Sequence, residues 1–140
     1  MSWGLFFVLR QFVSVFAPRR LCLVADGNHT IRKAAATILR DMRFSVAEAE
    51  SGEEALSKYR QRRPDAILVD SALALRDSLS MLQQLADPGG RRAPKIILCT
   101  HDRDPGTIVQ AISAGADDYL IKPFDRTILA TKFAQLGLTN

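Results

Sequence analysis

The chain has 140 residues, which suits one domain with a single hydrophobic core. Apolar residues make up 47% of it and charged residues 24%, a composition that excludes a disordered chain. The formal net charge of +4 comes mostly from arginines in short clusters, which favour a solvated face with interspersed acids over a surface for an acidic partner, a nucleotide or an anionic membrane.

An apolar extension over residues 1–18 precedes a predicted domain over residues 19–140. Residues 2–17 have the sequence SWGLFFVLRQFVSVFA, interrupted by Arg10 and Gln11. This run is shorter than the about 20 residues of a transmembrane helix and lacks the positive start of a signal peptide. Three interpretations stay open: a helix that covers an apolar groove, which is slightly favoured, an amphipathic anchor at a membrane surface, or a start codon assigned too far upstream.

From residue 21 onward, short apolar runs alternate with segments of helical period. The continuous apolar runs are typical of strands buried on both faces. Ser51 and Glu54 form the pattern of a capping box at the start of the second helix. The predicted strands cover residues 21–25, 45–49, 65–69, 95–99 and 118–121, and the predicted helices 30–42, 52–62, 78–86, 105–114 and 126–136.

The connecting residues also carry local signals. Residues 87–90, Asp-Pro-Gly-Gly, form a flexible turn. Gly115 is placed as the C-cap of the fourth helix, and Asp125 as the N-cap of the fifth, which ends at Gly137. Cys22 and Cys99 lie inside apolar runs without a Cys or His at ligand spacing. We therefore predict that both are buried strand residues in a reducing cytosol, not a disulfide or a metal pair.

Strands and helices that alternate through short loops predict an α/β fold, a doubly wound five-stranded parallel sheet with helices on both faces. In such sheets the chemistry lies at the carboxyl ends of the strands. Four polar residues end or follow four separate strands: Asp26, Asp70, Thr100 and Lys122. Two carboxylates, a hydroxyl and an ammonium should therefore meet at one edge.

Those four groups suit phosphoryl transfer. Paired carboxylates bind Mg²⁺, and a lysine beside them can contact a phosphoryl oxygen. Metal and lysine together would stabilise the charge of a transferring phosphoryl group. One carboxylate can then act as the nucleophile and form an aspartyl phosphate. Each residue alone could be only a cap or loop residue, but four at four strand ends favour a site.

Residues 20–138 resemble the receiver domains of response regulators, most of all those of the single-domain, CheY-like chemotaxis type. The matching stretches are LVADGNHTIRK, PDAILVD, IILCT and AGADDYLIKPF, of which the last is the most specific. The resemblance implies the flavodoxin/CheY-like strand order 2-1-3-4-5. It also implies a cis peptide before Pro123.

The resemblance assigns roles residue by residue. Asp70 would be the phosphoacceptor, Lys122 would contact the phosphoryl group, and Mg²⁺ would be held by Asp26, Asp70 and the backbone carbonyl of Ala72. Thr100 would move toward the phosphate and let Tyr119 swing inward, which reshapes the helix 4–strand 5–helix 5 face. The expected partners are a histidine kinase and a target protein that binds this face. The chain would be no enzyme beyond self-phosphotransfer and autodephosphorylation.

One position departs from the family pattern. Receiver domains usually end the first strand with two acidic residues, and the second is a direct metal ligand. Alignment from Ile31 and Arg32 places Asp26 on the first position and Gly27 on the second. An alignment shifted by one residue would place Asp26 on the second, but it breaks the match of the helix. The missing carboxylate should weaken Mg²⁺ binding, although Asn28 or a water could replace it.

Rival functions stay open. A degenerate receiver could bind a protein or a nucleotide without phosphorylation, the nucleotide through Arg91–Arg92 or Arg19–Arg20. A flavin or dinucleotide protein is disfavoured, because the loop after the first strand lacks GxGxxG. No output domain follows the last helix, so we expect no DNA binding. We expect a cytoplasmic protein, with membrane contact through residues 1–17 as an open alternative.

Overall fold

The computed structural model describes residues 19–75, 83–85 and 93–139. Five parallel strands form one sheet in the order β2-β1-β3-β4-β5, which confirms the predicted fold class and strand order. The strands are β1 Leu21–Ala25, β2 Ser45–Ala49, β3 Ala66–Asp70, β4 Lys95–Thr100 and β5 Asp118–Ile121. Three have the predicted bounds, while β3 lies one residue later and β4 is one residue longer.

The helices are α1 His29–Asp41, α2 Gly52–Gln61, α3 Ser71–Leu75, α4 Pro105–Ser113 and α5 Arg126–Gln135. The short α3, which begins directly after Asp70, was not predicted. Residues 83–85, inside the predicted helix 78–86, are helical. The rest of that helix, the turn at 87–90, Arg91–Arg92 and the extension 1–18 lie outside the described residues.

The predicted N-caps are present: Ser51 and Asp125 each accept a backbone N–H at the start of a helix. Asn28 and Asp104 cap α1 and α4 in the same way, which was not predicted. Glu54 completes the capping box in a shifted form, because its carboxylate accepts the N–H of Glu50 at 3.3 Å instead of that of Ser51. Gly115 and Gly137 adopt positive φ angles of 127° and 75° directly after the C-caps of α4 and α5, where glycine bears the least strain.

The core has two apolar layers, one on each face of the sheet. On one face α1 and α5 cover β1, β3 and β4, and the rings of Phe44 and Phe133 meet edge to face at 5.1 Å. Cys22 and Cys99 belong to this layer as buried free thiols, as predicted. Within the described part of the chain, no helix is both long and apolar enough to cross a membrane.

Candidate functional site

The strand ends bring the predicted polar residues to one edge of the sheet. Asp70 closes β3 and pairs in register with Cys99 of β4, so Thr100 lies one residue further along the same edge. Asp26 directly follows β1, and Lys122 directly follows β5. Parallel strands end at the same edge, which is why residues far apart in the chain meet there.

Lys122 lies between the two carboxylates. Its Nζ donates to Asp26 Oδ2 and to Asp70 Oδ1, both at 2.6 Å. The side chains of Lys122, Asp26 and Asp70 are 3%, 8% and 15% exposed, respectively, so these contacts are largely shielded from water. Burial alone would lower the pKa of the Lys122 ammonium, but the hydrogen bonds to Asp26 and Asp70 outweigh it and raise the pKa above its ordinary value.

The other oxygens of both carboxylates accept backbone N–H groups. Asp26 Oδ1 accepts from Asn28 at 2.8 Å, and Asp70 Oδ2 accepts from Ala72 at 3.2 Å. These bonds orient each carboxylate with one oxygen toward Lys122. The backbone N–H of Ala72 therefore contributes to the site. That its carbonyl oxygen binds a metal ion stays a prediction.

Arg32 on α1 holds the end of β1 in place through a buried hydrogen bond. Its guanidinium is buried, and its Nη1 donates to the Asp26 carbonyl oxygen at 2.8 Å. The same group contacts Glu48 at 3.3 Å and Glu50 at 3.4 Å. Sequence reasoning used Arg32 only for alignment and missed this role. An arginine on the buried face of a predicted helix was the available signal.

Thr100 is buried next to the carboxylates, and its hydrogen bonds run to neighbours that were not predicted. Its Oγ1 accepts from Ser71 Oγ at 3.1 Å and from the N–H of Asp102 at 3.0 Å. Ser71 directly follows Asp70 as the first residue of α3. The hydroxyl of Thr100 is therefore tied to the residue beside the predicted phosphoacceptor.

Tyr119 lies half-buried on β5, at the face formed by α4, β5 and α5. Lys132 Nζ lies 5.0 Å from the centre of its ring and donates to Asp118 Oδ1 at 2.9 Å. Val109 and Ile112 on α4 and Ile128 on α5 expose 63%, 41% and 46% of their surface.

Position 27 has room for a side chain. A Cβ at Gly27 would lie 3.5 Å from the Glu50 carbonyl oxygen, an ordinary van der Waals distance. Among the residues that the structure describes, no three His, Cys, Asp or Glu side chains cluster as metal ligands. The donor set of Asp26 and Asp70 has the oxygen chemistry that Mg²⁺ prefers, with one carboxylate fewer than a three-acid site.

Comparison with known proteins points to one family. Residues 22–134 match the model of the response regulator receiver domain family. The chain is 36% identical over 117 residues to the chemotaxis protein CheY of Listeria monocytogenes, covering 80% of this chain and 95% of that protein.

Solved structures share the fold. The chemotaxis response regulator CheY4 of Vibrio cholerae superposes with a TM-score of 0.76 at 23% identity, covering 85% of this chain and 99% of that one. The receiver domain of the Saccharomyces cerevisiae response regulator Ssk1, in co-crystal with the histidine phosphotransfer protein Ypd1, superposes with a TM-score of 0.75 at 22% identity. That match covers 86% of this chain and 90% of the other.

Proposed function

This chain belongs to the family of response regulator receiver domains, and from that membership we propose that it is a single-domain response regulator of a two-component phosphorelay. In this proposal Asp70 accepts a phosphoryl group from a histidine kinase, and the domain then alters the face that binds a target protein. The contact of Lys122 with both Asp26 and Asp70 at 2.6 Å carries the proposal, because it holds a cation beside the nucleophile.

The transfer is a displacement at phosphorus. A carboxylate oxygen of Asp70 attacks the phosphorus of a phosphohistidine, and an O–P bond forms while the P–N bond breaks. The electron pair of the broken bond stays on the imidazole nitrogen. Lys122 is placed to stabilise negative charge on the phosphoryl oxygens. Hydrolysis later releases inorganic phosphate and restores the carboxylate, so the chemistry is limited to self-phosphotransfer and autodephosphorylation.

Mg²⁺ is the cofactor that fits the oxygen donors of this pocket. Asp26 and Asp70 would hold it, with the Ala72 carbonyl as a further ligand. When bound, the ion would neutralise charge on the phosphoryl oxygens. Glycine at position 27 removes one carboxylate from the set, so we propose weak binding.

Thr100 is suited to the switching step. In the unphosphorylated geometry its Oγ1 accepts hydrogen bonds from Ser71 and from the N–H of Asp102. The hydroxyl hydrogen of Thr100 is then available to a phosphoryl oxygen on Asp70. Movement of Thr100 would make space for the half-buried Tyr119 ring and change the surface around α4, β5 and α5.

One observation favours a second candidate. The carboxylate missing at Gly27, and the lack of a three-ligand cluster among the described residues, would suit a degenerate receiver that works without phosphorylation. Such a module would bind a protein or a nucleotide. Of its proposed nucleotide contacts, Arg20 already donates to the Gly137 and Leu138 carbonyl oxygens, and Arg19 is exposed.

The deciding experiment uses beryllofluoride, which imitates a bound phosphoryl group, with millimolar Mg²⁺. We expect a higher melting temperature and shifted NMR signals at Asp70, Thr100 and Tyr119, and no response in the isosteric Asp70→Asn variant. The same response should follow with acetyl phosphate. No shift at millimolar Mg²⁺ would sink the phosphorylated switch, and stabilisation by nucleotide alone would support the second candidate.

The partners follow from the same proposal. The acidic pocket would meet a histidine kinase, and the face with Val109, Ile112 and Ile128 would meet the target protein. We propose no DNA contact and a cytoplasmic location. Pull-down with the wild type in beryllofluoride, against Asp70→Asn, tests whether target binding depends on the phosphorylated state.

A further inference from the structure

An apolar groove of about 120 Å³ opens between α1 and the loop that joins β5 to α5. Ile31, Ala34 and Ile38 line it from α1, and Phe124 lines it from the loop. Lys122 borders one end of the groove, which therefore begins beside the pocket of Asp26 and Asp70. The walls are almost entirely carbon, which suits an apolar occupant.

The apolar surface continues toward the other edge of the sheet. Helices α1 and α5 both run back from the carboxyl ends of the strands, so their last residues lie at the opposite edge. Met42 and Leu136, at these two helix ends, are partly buried against the same core layer as Ile38 and Phe124. Ile31, Ala34, Ile38 and Met42, at i, i+3, i+7 and i+11, therefore form a partly exposed apolar stripe along α1.

The first described residues, Arg19 and Arg20, lie at the end of the stripe opposite Lys122. Arg20 Nη1 donates to the carbonyl oxygens of Gly137 at 3.1 Å and Leu138 at 2.7 Å, just beyond the end of α5. These bonds hold the start of β1 against the C-terminal end of α5. Arg20 therefore lies at the C-terminal end of α5, where it lines the same surface pocket as Leu136.

The length and pattern of residues 2–17 match the stripe. Sixteen residues span about 24 Å as a helix, and the sheet from Arg20 to Asp26 rises about 20 Å. As a helix, the segment would present large apolar side chains at i, i+4, i+7 and i+11 on one face. These are Leu5, Leu9, Phe12 and Phe16.

Charge favours a protein groove over a lipid surface. Helices that lie on membranes carry several Lys or Arg residues on their polar face. Residues 2–17 contain one charged residue, Arg10.

We propose that residues 2–17 of this chain dock along the apolar stripe of α1, with their N-terminal end in the groove beside Lys122. The docked segment would flank the pocket that the proposed function uses. The proposed docking is inferred from the groove and from the contact of Arg20 with the end of α5. Its test does not require phosphorylation.

A tryptophan reporter tests the docking in the full chain. Trp3 is the one tryptophan of the sequence, so the double variant Trp3→Phe/Phe12→Trp carries a single reporter on the apolar face. We expect blue-shifted emission and acrylamide quenching several-fold weaker than in the urea-unfolded chain. Adding Ala34→Arg, at an exposed position of the groove, should raise the quenching several-fold.

The matched control is Ser57→Arg, at an exposed position of α2 on the other face of the sheet. It should leave emission and quenching unchanged, and circular dichroism should show both arginine variants folded. Strong quenching in the Trp3→Phe/Phe12→Trp variant, or quenching that Ala34→Arg does not change, would overturn the proposal. So would protection that appears only at high protein concentration, as for a second copy, or only with anionic lipid vesicles.

Discussion

Lys122 places one ammonium between two carboxylates. The group is buried, and its pKa is raised by Asp26 and Asp70 against the opposing effect of burial. Its contribution to stability is complete below the ordinary pKa of lysine and is lost only as the pH rises through the higher folded value. The ion pairs therefore hold throughout the physiological range, and the pocket keeps an excess of one negative charge for a cation.

The first prediction concerns Lys122→Met. Removing the ammonium leaves two buried carboxylates unpaired, and we expect the free energy of unfolding in urea to fall by about 3 kcal/mol. The control is Lys132→Met, which removes the more exposed ion pair with Asp118 and should cost no more than about 1 kcal/mol. Equal losses in the two variants would show that the Lys122 contacts add nothing to stability.

The second prediction concerns Gly27→Asp. The new side chain fits, because its Cβ would lie 3.5 Å from the Glu50 carbonyl oxygen. A further negative charge about 4 Å from a bound divalent ion contributes about 2 kcal/mol even at the dielectric constant of water, so we expect Mg²⁺ to bind at least about tenfold more tightly. Titration followed by NMR gives the affinity.

Asn28→Asp is the matched control for Gly27→Asp. It adds the same charge one residue further along and keeps an N-cap side chain for α1. We expect a clearly smaller gain from it, because the resemblance to receiver domains places the direct metal ligand at position 27. An equal gain in both variants would mean that only the local net charge matters.

At the scale of elements, Glu48 joins the edge strand β2 to α1. Its carboxylate contacts Arg32 at 3.3 Å, Lys33 at 2.9 Å and Arg40 at 3.7 Å, all on α1. Burial alone would raise the pKa of Glu48, but the hydrogen bonds from Lys33 and Arg32 outweigh it and lower the pKa below its ordinary value. The ionised form is therefore preferred in the folded state.

The third prediction follows from the sign of that shift. The stability that Glu48 contributes is present above about pH 4.5 and is lost as the pH falls through the lower folded pKa. Glu48→Gln should lower the free energy of unfolding at pH 7 by about 1 kcal/mol and should flatten its decline below pH 4.5. The exposed Glu53→Gln is the comparison, and an unchanged acid slope for Glu48→Gln would contradict the prediction.

At the scale of the whole molecule, the central strands form the part of the sheet that is shielded from water. Cys22 on β1 and Cys99 on β4 are buried in the layer under α1 and α5. Burial raises the pKa of both thiols, that of Cys99 to about 12. Neither thiolate forms at neutral pH, so reaction requires the sheet to open.

The fourth prediction is that neither thiol reacts with a maleimide in the native protein. Both should become reactive together, with a urea midpoint that coincides with the unfolding transition seen by circular dichroism. Ser57→Cys, at an exposed position of α2, provides a thiol that should react at once. Modification of Cys22 or Cys99 without denaturant would mean that the sheet opens locally below the global transition.

Local patterns were sufficient for most of the fold. Short apolar runs and, at residues 45–49, a weak alternation predicted the five strands, and Ser51, Gly115, Asp125 and Gly137 marked helix ends that the structure contains. These signals depend on neighbours only a few residues away in the chain. Helix α3 was missed because a five-residue helix offers too short a period to recognise.

The sequence by itself determined the elements, the sheet edge and the four polar groups that gather there. Only the tertiary structure decided how they pair: Lys122 bridges residues 96 and 52 positions away, and Ser71 bonds to Thr100 across 29 positions. The physical reason is that hydrogen bonds form within about 3 Å. The positions of residues in the sequence show which side chains lie at the carboxyl edge of the sheet. Only the packing of the strands determines which of their atoms come within about 3 Å of each other.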